Sequence, residues 1–143
     1  MDRVVLDTNV FVSGTATVGT PPSQIIEAWR NRSIVLVTSP HILAEVKEVL
    51  LREEIMRYTG LSAKEVYELI SEIEKRAYVT QGLYEVWKIK CDPDDNIILA
   101  CAIEGYVTHI VTGDTKSLLP LKEYHGIRIL IPSDYVRAYL RQG

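Results

Sequence analysis

The sequence predicts an α/β fold, with an open parallel β-sheet flanked by α-helices. Three short runs, residues 3–7, 33–38 and 109–112, contain successive apolar or β-branched residues without polar alternation, which is typical of strands whose two faces are both covered by helices. Helical patterns separate them, as in right-handed crossovers between parallel strands. A fourth strand is expected at 128–131. The length of 143 residues is that of one domain, so we expect a single domain over residues 1–143.

Most of the helices are predicted from apolar residues at helical spacing or from residues typical of helix starts. An apolar repeat at helical spacing predicts a helix over residues 23–30. Ser39 and Pro40 suit the N-cap and the first turn of a second helix, which carries Glu45 in its first two turns. Ser62 and Glu65 form the pattern of a capping box that opens a third helix.

The remaining stretches are assigned from local residue preferences. Residues 14–22, which are rich in glycine and proline, are predicted to form the only long loop of the first half, directly after the first strand. A helix over residues 96–104 is predicted with Asp94 or Asp95 as its N-cap. Ser133 is predicted to cap the last helix.

Composition argues against several functional classes. A net charge of −3 disfavours a module that grips nucleic acid through bulk positive charge, unless the acids gather around a metal ion that reverses the local sign. No apolar run approaches the roughly 20 residues of a membrane span, so a cytoplasmic protein with no membrane partner is expected. Cys91 and Cys101 lack the paired spacing of zinc or redox sites and are interpreted as core thiols.

Four carboxylates are expected to converge at one edge of the sheet. Asp7 ends the first strand and Asp114 follows the strand at 109–112, and parallel strands end at the same carboxyl edge, where open α/β sheets bind ligands. Glu45 and Asp95 lie near helix starts that can point to that edge. Singly, each acid has an ordinary explanation as a turn, cap or solvated residue. Together they need a cation, and hard oxygen ligands without histidine or cysteine suit Mg²⁺ or Mn²⁺ and phosphodiester hydrolysis.

These residues lie in stretches that resemble the PIN-domain ribonucleases. The stretches are V-V-L-D-T-N-V-F-V-S-G (residues 4–14), the Glu45 helix, D-P-D-D-N-I-I-L-A-C-A (92–102) and H-I-V-T-G-D (109–114). The resemblance implies a PIN-like domain with a five-stranded parallel sheet, cleavage of single-stranded RNA, and one or two Mg²⁺ or Mn²⁺ ions. The likeness is greatest to toxin components of bacterial and archaeal toxin–antitoxin pairs, which implies a small antitoxin partner and a homodimer.

The resemblance also implies a role for each acid. The family's four acids fall on Asp7, Glu45, Asp95 and Asp114 as catalytic residues and metal ligands. Asp95 is preferred to Asp92 and Asp94 because the family's third acid directly precedes the helical run. The residues expected to orient these carboxylates are Thr8, Asn9, Asn96 and Thr112, which can equally be turn and cap residues. We expect a metal-activated water to attack phosphorus, leaving a 5′-phosphate and a 3′-hydroxyl.

Other enzyme classes also place an aspartate after the first strand. A haloacid-dehalogenase phosphatase needs a second acid where this chain has Asn9, and a receiver domain needs a lysine where it has Gly113 and Asp114. A non-catalytic PIN-like module that binds RNA or protein, or an RNA-processing nuclease without an antitoxin, remains an alternative. The three histidines are interpreted as structural; the candidate RNA contacts outside the acids are Lys47, Arg52, Arg57, Tyr84, Trp87 and Lys116.

Overall fold

The strands of this chain form one mixed sheet that is parallel over most of its width. The computed structural model describes residues 1–86 and 93–140. Its strands are β1 Arg3–Leu6, β2 Val35–Thr38, β3 Tyr78–Val79, β4 His109–Val111, β5 Glu123–Tyr124 and β6 Ile127–Leu130. Their order is β3-β2-β1-β4-β6-β5, and all neighbours are parallel except β5 and β6. The α/β prediction is confirmed, with one antiparallel edge strand beyond the five parallel strands implied by the resemblance.

Helices flank the sheet, again as predicted. In the described part of the chain they are α1 Thr8–Ala16, α2 Pro21–Arg30, α3 Pro40–Leu50, α4 Glu53–Thr59, α5 Ala63–Arg76, α6 Pro93–Glu104 and α7 Pro132–Tyr135. α7 continues into a π-helical turn, Val136–Leu140, and a 3-10 turn, Leu119–Leu121, precedes β5. None of these helices is both long and apolar enough to cross a membrane.

Several helix boundaries follow the predicted signals. The Ser39 hydroxyl accepts a hydrogen bond from the Ile42 backbone N–H at 3.2 Å. Ser62 and Glu65 form the reciprocal capping box at the start of α5. Gly60 ends α4 in the left-handed conformation, with φ of 76°, which glycine adopts without steric cost.

The long loop predicted over residues 14–22 is wrong. α1 begins directly after Asp7, so only residues 17–20 separate it from α2. Val10 and Phe11 are buried in the core, and this burial outweighs the low helix propensity of the β-branched residues and the glycine in this stretch.

Two predicted N-caps are also wrong. α6 begins at Pro93, so Asp94 and Asp95 lie inside its first turn; proline suits the first position of a helix because its missing N–H has no partner there. Ser133 lies inside α7, whose N-cap is Ile131 and makes no side-chain hydrogen bond.

The topology creates a crevice beside β1. The chain builds β2 and β3 on one side of β1, and then crosses to place β4 and β6 on the other. Val5 pairs with both Val37 and Ile110, and all three are fully buried. Because the strand order reverses between β1 and β4, the carboxyl ends of these two strands border the crevice where open α/β sheets bind ligands.

Candidate functional site

Asp7 lies at the carboxyl end of β1, where it is held by its neighbours. Its carboxylate caps α1 by accepting a hydrogen bond from the Thr8 backbone N–H at 2.8 Å. The Thr112 hydroxyl donates to Asp7 Oδ2 at 2.8 Å, and the Asn9 amide lies 3.4 Å from the same oxygen. The Asp7 backbone N–H donates to the Val111 carbonyl at 3.0 Å, which ties the ends of β1 and β4 together.

Asp114 follows β4 and is positioned by the same hydroxyl. The fully buried Thr112 side chain accepts a hydrogen bond from the Asp114 backbone N–H at 2.9 Å. Asp114 Oδ1 in turn accepts from the Lys116 backbone N–H at 2.9 Å, in a tight turn. Asn9 Oδ1 accepts from the Gly113 N–H at 2.9 Å, so the loops after β1 and β4 are joined by side-chain contacts from both sides.

Five carboxylates line a single pocket at this edge. The pocket has a volume of about 510 Å³, and its acidic residues are Asp7, Glu45, Asp94, Asp95 and Asp114. Glu45 comes from α3, and the adjacent aspartates come from the first turn of α6. The structure therefore brings together the four acids predicted from the sequence, and adds Asp94.

The two aspartates of α6 differ in burial. Asp95 is 6% exposed, whereas Asp94 is exposed to solvent. Asp94 acts electrostatically on both Asp7 and Glu45. The sequence did not single it out because the start of α6 was placed too late, which made Asp94 and Asp95 look like alternative caps.

The acids share one electrostatic environment. Burial raises the pKa of Asp7 above its ordinary value, and the charges of Asp114 and Asp94 raise it further, against the hydrogen bonds from Thr112 and Thr8. Burial also raises the pKa of Glu45, followed by repulsion from Asp94 and Asp7. A cation in the pocket would relieve this repulsion.

The donor chemistry fits a hard divalent cation. In residues 1–86 and 93–140, no three His, Cys, Asp or Glu side chains are already arranged to hold a metal ion. Mg²⁺ is commonly bound through only one or two carboxylates, with water and substrate phosphate completing its shell. Carboxylate oxygens without nitrogen or sulfur ligands are the donors that Mg²⁺ and Mn²⁺ prefer.

The residues predicted to orient the acids are not all at the pocket. Thr8 and Asn9 line it, and Thr112 lies directly behind Asp7 and Asp114. Asn96, by contrast, lines a neighbouring cavity of about 320 Å³ together with Tyr84.

Among the basic candidates, Lys116 lines the carboxylate pocket. Arg52 pairs with Glu48 at 3.3 Å, and the Lys47 ammonium lies 5.0 Å from the ring centre of Tyr67. Lys116 is therefore the basic side chain best placed beside the acids. The aromatic candidate at position 87 and the cysteine at position 91 lie outside the described residues.

The histidines lie apart from this pocket. His109 begins β4 at the opposite end of the sheet, where it packs against Tyr135 and Tyr139 and where burial lowers its pKa. His41 lies 3.1 Å from the Gly82 carbonyl, and His125 packs against a tyrosine. These contacts agree with structural roles.

Comparisons with known proteins identify the same stretch of chain. The family model described as the PIN domain matches residues 3–116, from β1 to the turn after Asp114. An uncharacterized protein of Methanocaldococcus jannaschii is 28% identical over 121 residues, which cover 85% of this chain and 76% of that protein. All five pocket carboxylates lie inside the matched range.

Proposed function

This chain belongs to the PIN-domain family, whose members are generally metal-dependent nucleases that act on RNA, and we propose that it is a divalent-metal-dependent endoribonuclease for single-stranded RNA. The observation that carries the proposal is the gathering of Asp7, Glu45, Asp94, Asp95 and Asp114 in one pocket at the crevice of the sheet. A pocket lined by so many acids cannot attract an RNA phosphate by its own charge, so the chemistry requires a bound cation.

Asp7, Glu45, Asp95 and Asp114 are the proposed ligands, with Asp94 as an additional acid. When bound, Mg²⁺ or Mn²⁺ supplies positive charge beside the phosphate and activates water for attack. The protein supplies orientation, since Thr112 and the Thr8 N–H hold the Asp7 carboxylate in one position.

The proposed reaction is hydrolysis without a covalent enzyme intermediate. The oxygen of a water molecule bonds to phosphorus as the bond to O3′ breaks; the water loses one proton and the leaving O3′ gains one, which leaves a 5′-phosphate and a 3′-hydroxyl. Lys116 lines the same pocket, and its ammonium is in a position to contact a phosphate oxygen of the substrate.

The test is cleavage of an end-labelled single-stranded RNA by the purified protein. We expect cleavage with Mn²⁺ or Mg²⁺, none in EDTA, and a loss of several orders of magnitude in Asp7→Asn. Asp134→Asn is the matched control, because Asp134 lies in α7 and pairs with Arg137. Undiminished cleavage in chelator by metal-free protein would contradict the proposal, and RNA binding without cleavage would favour a non-catalytic module.

We further propose a biological role as the toxin of a toxin–antitoxin pair, acting in the cytoplasm as a homodimer with a small antitoxin partner. The resemblance of the motifs to toxin components supports this role. Induced expression should arrest growth of a bacterial host, Asp7→Asn should not, and the product of a neighbouring reading frame should relieve the arrest. Growth unaffected by an active enzyme would favour an RNA-processing nuclease without an antitoxin. Sedimentation measurements test the homodimer.

A further inference from the structure

The pocket that holds the carboxylates has a second, apolar wall. Val12, Val49 and Ile55 line it, and they come from three different helices, α1, α3 and α4. Each of the three side chains is only partly buried. Three aliphatic side chains thus remain partly exposed in the same cavity as five carboxylates.

Helical spacing links this wall to the acidic site. Val49 lies four residues after Glu45 on α3, and Val12 lies four residues after Thr8 on α1. Residues four apart share one face of a helix and are separated by about 6 Å along its axis. The apolar wall therefore begins one helical turn from residues of the acidic site, on the same faces of the same helices.

A metal ion and a phosphate do not account for such a wall. Apolar side chains gain no free energy beside ions and water, but they gain when an apolar surface covers them. A nucleotide presents both kinds of surface, since its phosphate is charged and each face of its base is apolar. The pocket, at about 510 Å³, exceeds what one or two ions need.

We propose that Val12, Val49 and Ile55 form a subsite that receives the face of one unpaired base next to the phosphate that is cut. This inference rests on the nuclease function proposed above. The base reaches the wall only when it is unstacked from its neighbours, which favours single strands over duplexes. Aliphatic side chains do not read hydrogen-bonding edges, so the subsite selects for the presence of a base rather than for its identity.

The test pairs changes in the wall with removal of the base. Oligoribonucleotides carry an abasic sugar at each position flanking the cleaved bond, and kcat/KM is measured with Mn²⁺ for the wild type and for Val49→Thr. Threonine keeps the shape of valine but has a hydroxyl in place of one methyl group. Val35→Thr is the matched control, because Val35 is a partly buried valine of β2 that does not line the pocket.

We expect the wild type to lose about tenfold in kcat/KM when one particular base is missing, the scale of a lost apolar contact. Val49→Thr should be impaired on intact RNA and lose little more on that abasic substrate, because both changes remove the same contact. Val35→Thr should behave as the wild type. Binding of intact and abasic RNA to Asp7→Asn, followed by fluorescence anisotropy, should show the same preference.

Two results would overturn the subsite. One is wild-type cleavage that is indifferent to every abasic position. The other is a Val49→Thr variant whose loss simply adds to the abasic loss. In both cases, wild-type cleavage of intact RNA leaves the nuclease function standing, whereas absence of any cleavage with Mn²⁺ removes the nuclease function and the subsite together. Thermal melts establish that each variant is folded.

Discussion

Thr112 is one of the residues that connect the ends of β1 and β4. Its hydroxyl donates to Asp7 at 2.8 Å and accepts from the Asp114 backbone N–H at 2.9 Å, and its side chain is fully buried. The Thr112 hydroxyl therefore orients the Asp7 carboxylate and holds the backbone of Asp114, two of the proposed ligands at this edge.

We expect Thr112→Val to lower kcat/KM for RNA cleavage by about 10- to 100-fold, the usual effect of losing a group that orients a metal ligand. Valine keeps the shape of threonine but cannot donate a hydrogen bond to Asp7. Thr112→Ser retains the hydroxyl and should keep most of the activity. A folded Thr112→Val enzyme as active as the wild type would show that the hydroxyl has no part in the site.

Burial raises the pKa of both Asp7 and Glu45, and the negative charge of Asp94 raises both further. Replacing Asp94 by asparagine removes that charge, so both pKa values should fall in the metal-free protein; protons should then compete less with the metal ion, and the acid limb of the pH–rate profile should move to lower pH. The measurement is kcat/KM against pH for wild type and Asp94→Asn, with Asp134→Asn as the control. An acid limb that stays in place would mean that Asp94 does not influence the carboxylates proposed to hold the metal ion.

The roles of single residues were predicted correctly where neighbouring residues completed a known local pattern. The serines at 39 and 62 had proline or glutamate at the expected spacing, and both cap their helices. Asp94 was missed because residues 92–95 contain several acids. Only the observed start of α6, at Pro93, shows that Asp94 lies in the first turn of the helix and is not its N-cap. Thr112 was predicted to orient the carboxylates; its contact with the Asp114 backbone is local, whereas its hydrogen bond to Asp7 depends on tertiary structure.

At the scale of elements, α1 depends on a close approach to α2. A Cβ built at Gly14 would lie 2.5 Å from Ile26 Cδ1 and 3.0 Å from the Pro22 carbonyl oxygen. Glycine at this position lets the two helices pack, although glycine is unfavourable inside a helix.

We therefore expect Gly14→Ala to lower the free energy of unfolding by about 1–2 kcal/mol. Overpacking costs about 1–3 kcal/mol, and the better helix propensity of alanine returns at most about 1 kcal/mol. Ile26→Val removes Cδ1, so the double variant should lose less than the sum of the single changes in denaturant titrations. If Gly14→Ala is more stable than the wild type, helix propensity governs this position and the close packing of α1 on α2 is not needed.

The elements that the sequence missed are those without a periodic signal of their own. β3 and β5 have two residues each, too short for any alternation to show. α1 contains β-branched residues and a glycine, so only the burial of Val10 and Phe11 against the rest of the fold reveals it as a helix.

At the scale of the whole molecule, the crowded acids should destabilise the metal-free protein at neutral pH. Burial raises the folded-state pKa of Asp7 above its unfolded value of about 4. Between those two values the folded state binds more protons than the unfolded state, so this contribution to stability falls as pH rises. His109 contributes in the opposite direction. Burial lowers its folded-state pKa below the unfolded value of about 6.5, so its contribution to stability is lost as the pH falls below about 6.5.

The difference in the free energy of unfolding between Asp7→Asn and the wild type isolates the contribution of Asp7. Asparagine is also a good N-cap, so the variant keeps the cap of α1. In EDTA the variant should become more stable relative to the wild type as pH rises above about 4, and at pH 7 it should be at least as stable. Saturating Mn²⁺ should stabilise the wild type by about 2.7 kcal/mol at 100 times its Kd. If Asp7→Asn is less stable than the wild type in EDTA and Mn²⁺ stabilises neither protein, Asp7 serves only as the N-cap of α1.

The parallel sheet was predictable because its central strands lack polar alternation, and the carboxyl edge was predictable because Asp7 and Asp114 follow two such strands. The reversal of strand order between β1 and β4, which places these ends beside one crevice, is a property of the whole topology. The single-domain prediction is tested by whether the chain unfolds in one cooperative transition.

Calorimetric titration of Mn²⁺ into the metal-free protein measures whether the carboxylates of this pocket hold a divalent cation. We expect the wild type to bind one or two ions, Asp7→Asn and Asp114→Asn each to bind at least about tenfold more weakly, and Asp134→Asn to bind like the wild type. If the wild type binds no Mn²⁺ at millimolar concentration, or if Asp7→Asn binds Mn²⁺ as tightly as the wild type, these carboxylates are not the ligands of a metal ion.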